Sequence, residues 1–216
     1  MENTAALTLL ELFRMGGITM WPLAFFSVAT VSIGIERAIY LCRRDLRVGD
    51  MGEAASRMLA GGDYDGAERY LSALAGKRPG ARALLALVAR AGPGRAFPER
   101  RAERAAEAEA AACVGSIESG LGLLAALGAI APLTGFLGTV TGMIGAFRAI
   151  AEADEASAQV VAGGIYEALV TTAFGLIIAI AAMSFHAVLS GAADRFAAGI
   201  EKACSDLIAE IAEAQA

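Results

Sequence analysis

Histidine occurs once and cysteine three times in the 216 residues. A single imidazole cannot build a metal cluster, and Cys42, Cys113 and Cys204 lie too far apart for any zinc-ligand spacing, so no metal is expected and the cysteines read as free thiols. Basic residues are outnumbered, 18 against 23 acidic ones, and no basic run could track a phosphate backbone, which argues against nucleic acid as a partner. Catalytic patterns are missing too. No Walker sequence surrounds Lys77 or Lys202, and no Ser/His/Asp arrangement appears, so neither an enzyme nor a bound cofactor is expected. What remains is grease: 56% of residues are hydrophobic, mean hydropathy is +0.56, and the charges are gathered in blocks. That composition belongs to a polytopic membrane protein.

Residues 1–17 carry acidic groups and no basic n-region or convincing small-residue cleavage site, so they are not read as a cleaved signal. Leu9, Leu10, Leu12 and Phe13 share one helical face, with Thr4, Thr8, Glu11 and Arg14 opposite, as in a short amphipathic helix lying along a membrane surface. Gly16-Gly17 breaks it. Residues 18–41 then form a first crossing, charged only at Glu36 and Arg37, with Trp21 and Tyr40 as interfacial anchors and Pro22 in the first turns. Phe25, Phe26, Val28, Val31, Ile33 and Ile35 give its middle a bulky surface suited to lipid.

Arg43, Arg44 and Arg47 come immediately after it, and Cys42 to Ser119 holds 13 of the 18 basic residues. The positive-inside rule makes residues 42–120 a cytoplasmic helical region and puts the N-terminus in the periplasm. Short helices are expected at Met51 to Ala60, Tyr64 to Ala75 and Arg82 to Ala91, separated by Gly61-Gly62-Asp63, Lys77-Arg78-Pro79-Gly80 and Gly92-Pro93-Gly94. Pro98 opens another helix, and with no breaker before Gly115 one continuous helix is expected from about Glu99 to Phe147. Its membrane part, residues 121–148, is the second crossing. A periplasmic loop at 149–161, with Glu152, Asp154 and Glu155, leads to a third crossing at 162–189. Residues 190–216 continue as an amphipathic cytoplasmic helix. The expected fold is therefore all-α: three transmembrane helices, the second and third extended into the cytoplasm, plus a small helical cytoplasmic unit.

Two stripes of small residues carry the functional argument. Gly128, Gly135, Gly138, Gly142 and Gly145 share one narrow face at 100° per residue, with Ala131 and Ala146 inside it and Thr139 on its border. Leu133, Phe136, Leu137, Val140, Met143, Ile144 and Phe147 cover the other side. Such glycine density weakens a helix in water by about 1 kcal/mol per residue, but lipid offers the backbone no alternative partner, and a bare stripe lets helices approach closely. In the third crossing Gly164, Ala168, Thr172, Gly175, Ala179, Ala182 and His186 recur at steps of three and four. Thr139 and Thr172 both lie about 12 to 15 Å from the outer boundary. Glu167, the acid set well within these crossings, borders the second stripe and is a candidate because an intramembrane carboxylate is costly unless it faces water, a partner or a bundle interior. His186 reads as interfacial packing.

APLTGFLGTVTGMIGAF, with GGIYEALVTTAFGLIIAI after it, resembles the two signature helices of the MotA/TolQ/ExbB proton-channel family, and GGITMWPLAFFS and IERAIYLCRR extend the likeness to the first crossing. Three crossings resemble the ExbB/TolQ branch, ExbB above all, more than the four-crossing MotA branch. The resemblance implies an inner-membrane homopentamer enclosing single-span helices of an ExbD/TolR-type partner, which in the ExbB case works with a TonB-like energy transducer. It matches the pore threonines to Thr139 and Thr172, the membrane glutamate to Glu167 and the helix-bending proline to Pro132; Ala181 stands where relatives often carry proline. Since the pore face offers no aspartate, the titrating carboxylate must come from the partner. Alternatives left open are a TolQ-like envelope-integrity subunit, a motility stator subunit, and a non-conducting membrane scaffold in which Gly135, Gly138, Gly142, Gly145, Gly164, Gly175 and Pro132 only pack.

Overall fold

The computed structural model describes residues 9–92, 97–152 and 158–214. These residues fold into eight helices: α1 (Leu9–Met15), α2 (Met20–Arg43), α3 (Gly49–Ala60), α4 (Tyr64–Leu74), α5 (Ala81–Val88), α6 (Glu99–Glu118), α7 (Leu121–Glu152) and α8 (Ala158–Ala214). No strand occurs among the described residues. Helices α2, α7 and α8 each contain a stretch long and apolar enough to cross a membrane. The chain divides into two compact units, one built from residues 1–35 and 120–187, the other from 36–119 and 188–216.

In the first, membrane unit, α7 and α8 run antiparallel and touch through their glycines. A side chain on Gly175 would come within 2.6 Å of the Ala131 carbonyl oxygen, and one on Gly135 within 2.8 Å of the Thr171 carbonyl oxygen, so the backbones themselves are in contact. Gly142 meets Gly164 and Ala168 in the same way further along. This closeness repays the glycines' weak helix propensity, because dispersion and backbone contact drive helix association where apolar burial cannot. Helix α2 packs by bulkier means: Met20 and Leu23 are buried with Ala131 and Ile178, and Phe13, Phe26 and Phe174 close over them. Further down, Gly34 accommodates the ring of Phe185. The outer face of α2 stays bare, with Trp21, Phe25, Val28 and Ile35 exposed, and only 11% of its apolar stretch is buried within the chain. Lipid or further chains must cover it.

Helix α7 remains helical through Pro132, whose missing N–H leaves the Gly128 carbonyl without its helical donor. Helix α8 is continuous through Ala181. The single helix expected from Glu99 to Phe147 is not formed. It breaks at Ser119, with ψ 128°, and Gly120, with φ +83°, a left-handed conformation that only glycine adopts without strain. Helix α7 reaches Glu152 and α8 starts at Ala158, so both helices extend into the stretch 149–161 expected as a loop. Residues 1–8, the Pro93 to Ala96 part of the third linker, and Asp154 and Glu155 lie outside the described residues.

The second, charged unit folds around leucine, isoleucine and alanine: Met51, Ala55 and Leu59 of α3, Leu71 of α4, Leu84 and Leu87 of α5, Ile117 of α6, and Ile200, Leu207 and Ile211 of α8 are all buried. Its short helices keep closely to the expected boundaries. Asp63 caps α4 by accepting the Gly66 amide at 2.8 Å. Arg78 fastens the α2–α3 connection, reaching Asp45 at 2.9 Å and Asp50 at 2.8 Å and donating to the Arg47 carbonyl. That arginine holds the Asp50 carboxyl below its ordinary value of 3.8, and the pair raises the Arg78 pKa in return. Tyr40 lies under two guanidinium groups, those of Arg37 and Arg44, at 5.3 and 4.8 Å from its ring centre. All three cysteines are free thiols; burial pushes the Cys113 thiol up and the Cys204 thiol to about 11.

Candidate functional site

The α7/α8 contact positions the hydroxyls. Because Gly135 lies against the Cα of Thr172 at a hypothetical side-chain distance of 3.1 Å, the Thr172 hydroxyl is close enough to donate across the interface to the Gly135 carbonyl, at 3.1 Å. Thr139 sits one turn beyond Gly135 on the same side of α7, so the antiparallel register sets it within about one helical turn of Thr172. Its hydroxyl donates back to its own helix, to the Phe136 carbonyl at 2.6 Å. Both threonines are half-buried, on the rim of the contact. Each thus has its proton engaged by a backbone carbonyl and its lone pairs free. In that state they can accept a hydrogen bond from a protonated acid; rotating a hydroxyl outward would let it donate to a carboxylate at the cost of the backbone bond.

Thr171 is a hydroxyl that helical periodicity alone did not single out. It is fully buried, donates to the Ala168 carbonyl at 2.9 Å and lies 3.4 Å from the Gly135 carbonyl, filling the place that a side chain on Gly138 would need. The signal was present: Gly164, Ala168, Thr171, Gly175, Ile178 and Ala182 also recur at steps of four and three. Thr141, half a turn from Thr139, bonds to the Leu137 and Gly138 carbonyls. Among the described residues, nothing lies within 4 Å of where a side chain on Gly145 would be. Gly164, by contrast, abuts Ala146.

Glu167 is placed apart from the two rim threonines. Five residues separate it from Thr172, about 140° around the helix, whereas Thr171, four residues on, shares its face. Its carboxylate occupies the space beside Gly17, in the turn between α1 and α2. Pro132 lies half-buried on α7, one residue from the Ala131 carbonyl that Gly175 approaches. Outside the contact, Leu133, Phe136, Leu137, Ile144 and Phe147 of α7 and Leu169, Ile177 and Ile180 of α8 are exposed.

Residues 81–202, which include both glycine-rich helices, match the MotA/TolQ/ExbB proton channel family. The chain belongs to that family. A biopolymer transport protein of Synechocystis, ExbB-like 1, is 33% identical over 188 residues, covering 84% of this chain and 70% of its own length. The biopolymer transport protein ExbB of Pseudomonas putida is 40% identical over 96 residues, 44% of this chain, and the Tol-Pal system protein TolQ of Haemophilus influenzae is 43% identical over 75 residues, 35% of it. The match spans only 28% of the length of the Pseudomonas protein and 33% of that of the Haemophilus protein. Membership fixes the class as a multi-pass membrane protein of a proton-channel family, most like ExbB.

Proposed function

We propose that the chain is an ExbB-like subunit of an inner-membrane motor that couples proton flow to work on the cell envelope or on outer-membrane transport. The observation that carries this reading is the pair of half-buried hydroxyls, Thr139 and Thr172, about one helical turn apart along two glycine-tight helices. Their chemistry supplies the mechanism. A partner helix of ExbD/TolR type brings a carboxylate, which the hydroxyls meet in either protonation state: as acceptors when it is protonated, as donors after rotation when it is ionised. Glu167 adds polarity on the side of the α1–α2 turn. Each proton that crosses releases about 2.3 kcal/mol per 100 mV, available to turn or shift the partner against a wall kept smooth by small residues.

The exposed apolar faces of α7 and α8 favour a homo-oligomer, a pentamer by family resemblance, with the partner at its centre and a TonB-like transducer beyond it. The basic residues clustered between Cys42 and Ser119 favour a cytoplasmic charged unit and C-terminus, with a periplasmic N-terminus. A non-conducting scaffold is the competing reading, since both rim hydroxyls bond to carbonyls as packing threonines do. Partner-dependent proton uptake in proteoliposomes separates the two. Thr139→Val with Thr172→Val keeps shape and assembly but removes the hydroxyls, so uptake should collapse, while the two serine variants should keep much of it. Full uptake in the double valine variant would overturn the hydroxyl path, whereas a wild-type protein with no partner-dependent uptake would leave the scaffold.

A further inference from the structure

Gly17 has a φ of +64°, in the left-handed region, and the space its side chain would fill is taken by the Glu167 carboxylate. Its neighbour Gly16 is equally confined: a side chain there would run into Met20 and come within 3.4 Å of the Thr171 methyl. Glu167 and Thr171 are one turn apart on α8, so the two glycines lie across one patch of that helix. The turn is itself well fixed. The Gly16 amide donates to the Leu12 carbonyl at 3.1 Å, closing α1, while the Met20 amide donates to the Gly17 carbonyl at 3.3 Å, opening α2. The Thr19 hydroxyl donates to the Gly16 carbonyl at 3.3 Å, and the rings of Phe13 and Trp21 meet edge to face 5.4 Å apart.

We propose that the Gly16-Gly17 turn is the seat of Glu167, and that Gly17 is the positioning residue that sets where its carboxylate stands. A glutamate side chain has three rotatable bonds and several staggered arrangements open to it. A rigid turn with no side chain at position 17 selects one of them, on the Thr171 side of α8 and away from Thr172. The amphipathic helix α1 is tied to this turn, so a displacement of α1 moves the acid's seat with it. This rests on the reading of Glu167 as a polar member of the proton path and goes beyond it by naming what places the carboxylate and which segment can move it.

Trp21, the sole tryptophan, reports on the turn directly. In the full-length protein in lipid nanodiscs, Gly17→Ala and Gly17→Asn should both shift Trp21 emission and lower the melting temperature. Asparagine tolerates the left-handed backbone better than alanine but carries the same Cβ, so a purely conformational effect would spare it. In a Glu167→Ala background the space is vacant, and Gly17→Asn should produce no shift. An equal shift in both backgrounds, or none in either, overturns the proposal. Should the Gly17 variants fail to fold, Glu167→Ala alone serves: amide exchange at residues 16–20 should quicken once the carboxylate is gone, and unchanged exchange overturns the seat. Proton uptake keeps the two ideas separate. If Glu167→Gln retains full uptake, the proton-path role of Glu167 falls, whereas the coupling between positions 17 and 167 is judged by the emission and exchange results alone.

Discussion

In the membrane unit, the α7/α8 contact is made by Gly135, Gly138, Gly142, Gly164 and Gly175, and its backbones touch; in the charged unit, the core is made by Leu59, Leu71, Leu84, Leu87, Ile200 and Leu207, and bulky side chains hold it. The solvent accounts for the difference. In water, burying a leucine is worth about 1.5 to 3 kcal/mol, so bulk drives packing. In lipid, a leucine gains nothing by exchanging one hydrocarbon neighbour for another, so close contact and hydrogen bonds between helices must do the holding. Polar fasteners differ accordingly. The membrane unit uses hydroxyls of Thr171 and Thr172 on a carbonyl, whereas the charged unit uses the Arg78 guanidinium on two carboxylates.

The strongest way to break the comparison is to add bulk to the membrane contact. Gly175→Leu would drive a side chain into the Ala131 carbonyl, which cannot yield, and should cost about 3 kcal/mol or more, read as loss of the folded protein from detergent extracts. Gly145→Ala meets nothing among the described residues, so it should leave the fold intact and gain up to about 1 kcal/mol of helix propensity. If Gly145→Ala instead abolishes the oligomer by native mass spectrometry, that glycine belongs to a contact between copies.

Arg78→Ala tests the charged unit. Removing the guanidinium leaves Asp45 and Asp50 without it and should cost about 1 kcal/mol at neutral pH, seen as faster amide exchange in α3. Asp50 has a lowered folded-state pKa, so its contribution is fully present above the ordinary value of 3.8 and is lost as pH falls through the lowered one. The gap in melting temperature between wild type and Arg78→Ala should therefore close in strong acid. A constant gap would show that Arg78 acts by packing alone.

Thiol chemistry gives a smaller but sharper contrast. Exposed Cys42 should alkylate well before half-buried Cys204 and buried Cys113, whose thiols burial keeps protonated at about pH 8. Peptide mass spectrometry over a time course decides the order. The smallest effect is expected at Thr30, whose hydroxyl is buried in α2 without a hydrogen-bond partner among the described residues. Thr30→Val removes an unsatisfied group of similar shape, so stability should hold or rise slightly in thermal melts of the membrane unit.

Much of this is legible in the residues alone, for physical reasons that differ by feature. Hydropathy locates the three spans, because lipid demands about twenty apolar residues whatever the fold. Steps of three and four place Gly135 and Gly142 on one face of their helix and Gly164 and Gly175 on one face of theirs, because 100° per residue leaves no other arrangement; that the two faces meet is seen only in the fold. The break at Gly120 is not legible: Gly122, Gly128 and Gly135 nearby are all helical, and nothing in composition distinguishes the one glycine among them with positive φ. Thr171 is easily overlooked beside Thr172 because both border the stripe and only the neighbouring helix decides which is covered. The neighbourhood of Glu167 requires knowing that residues 17 and 167 meet, and no local pattern carries a contact at that separation.

The left-handed residue at Gly120 also bears on how such a chain tolerates insertions and deletions. A residue added within α6 advances the side-chain phase of every later position in that helix by about 100°, but only as far as the break, where the hydrogen-bond ladder ends and α7 starts afresh. The glycine stripe of α7 keeps its facing. Helix α8 has no such reset between Ala158 and Ala214, so one residue gained or lost near Gly175 would turn Phe196, Ile200, Leu207 and Ile211 out of the core they fill. Length variation should therefore be cheap at the Ser119–Gly120 break itself and costly within α6, which buries Ile117, and along α8.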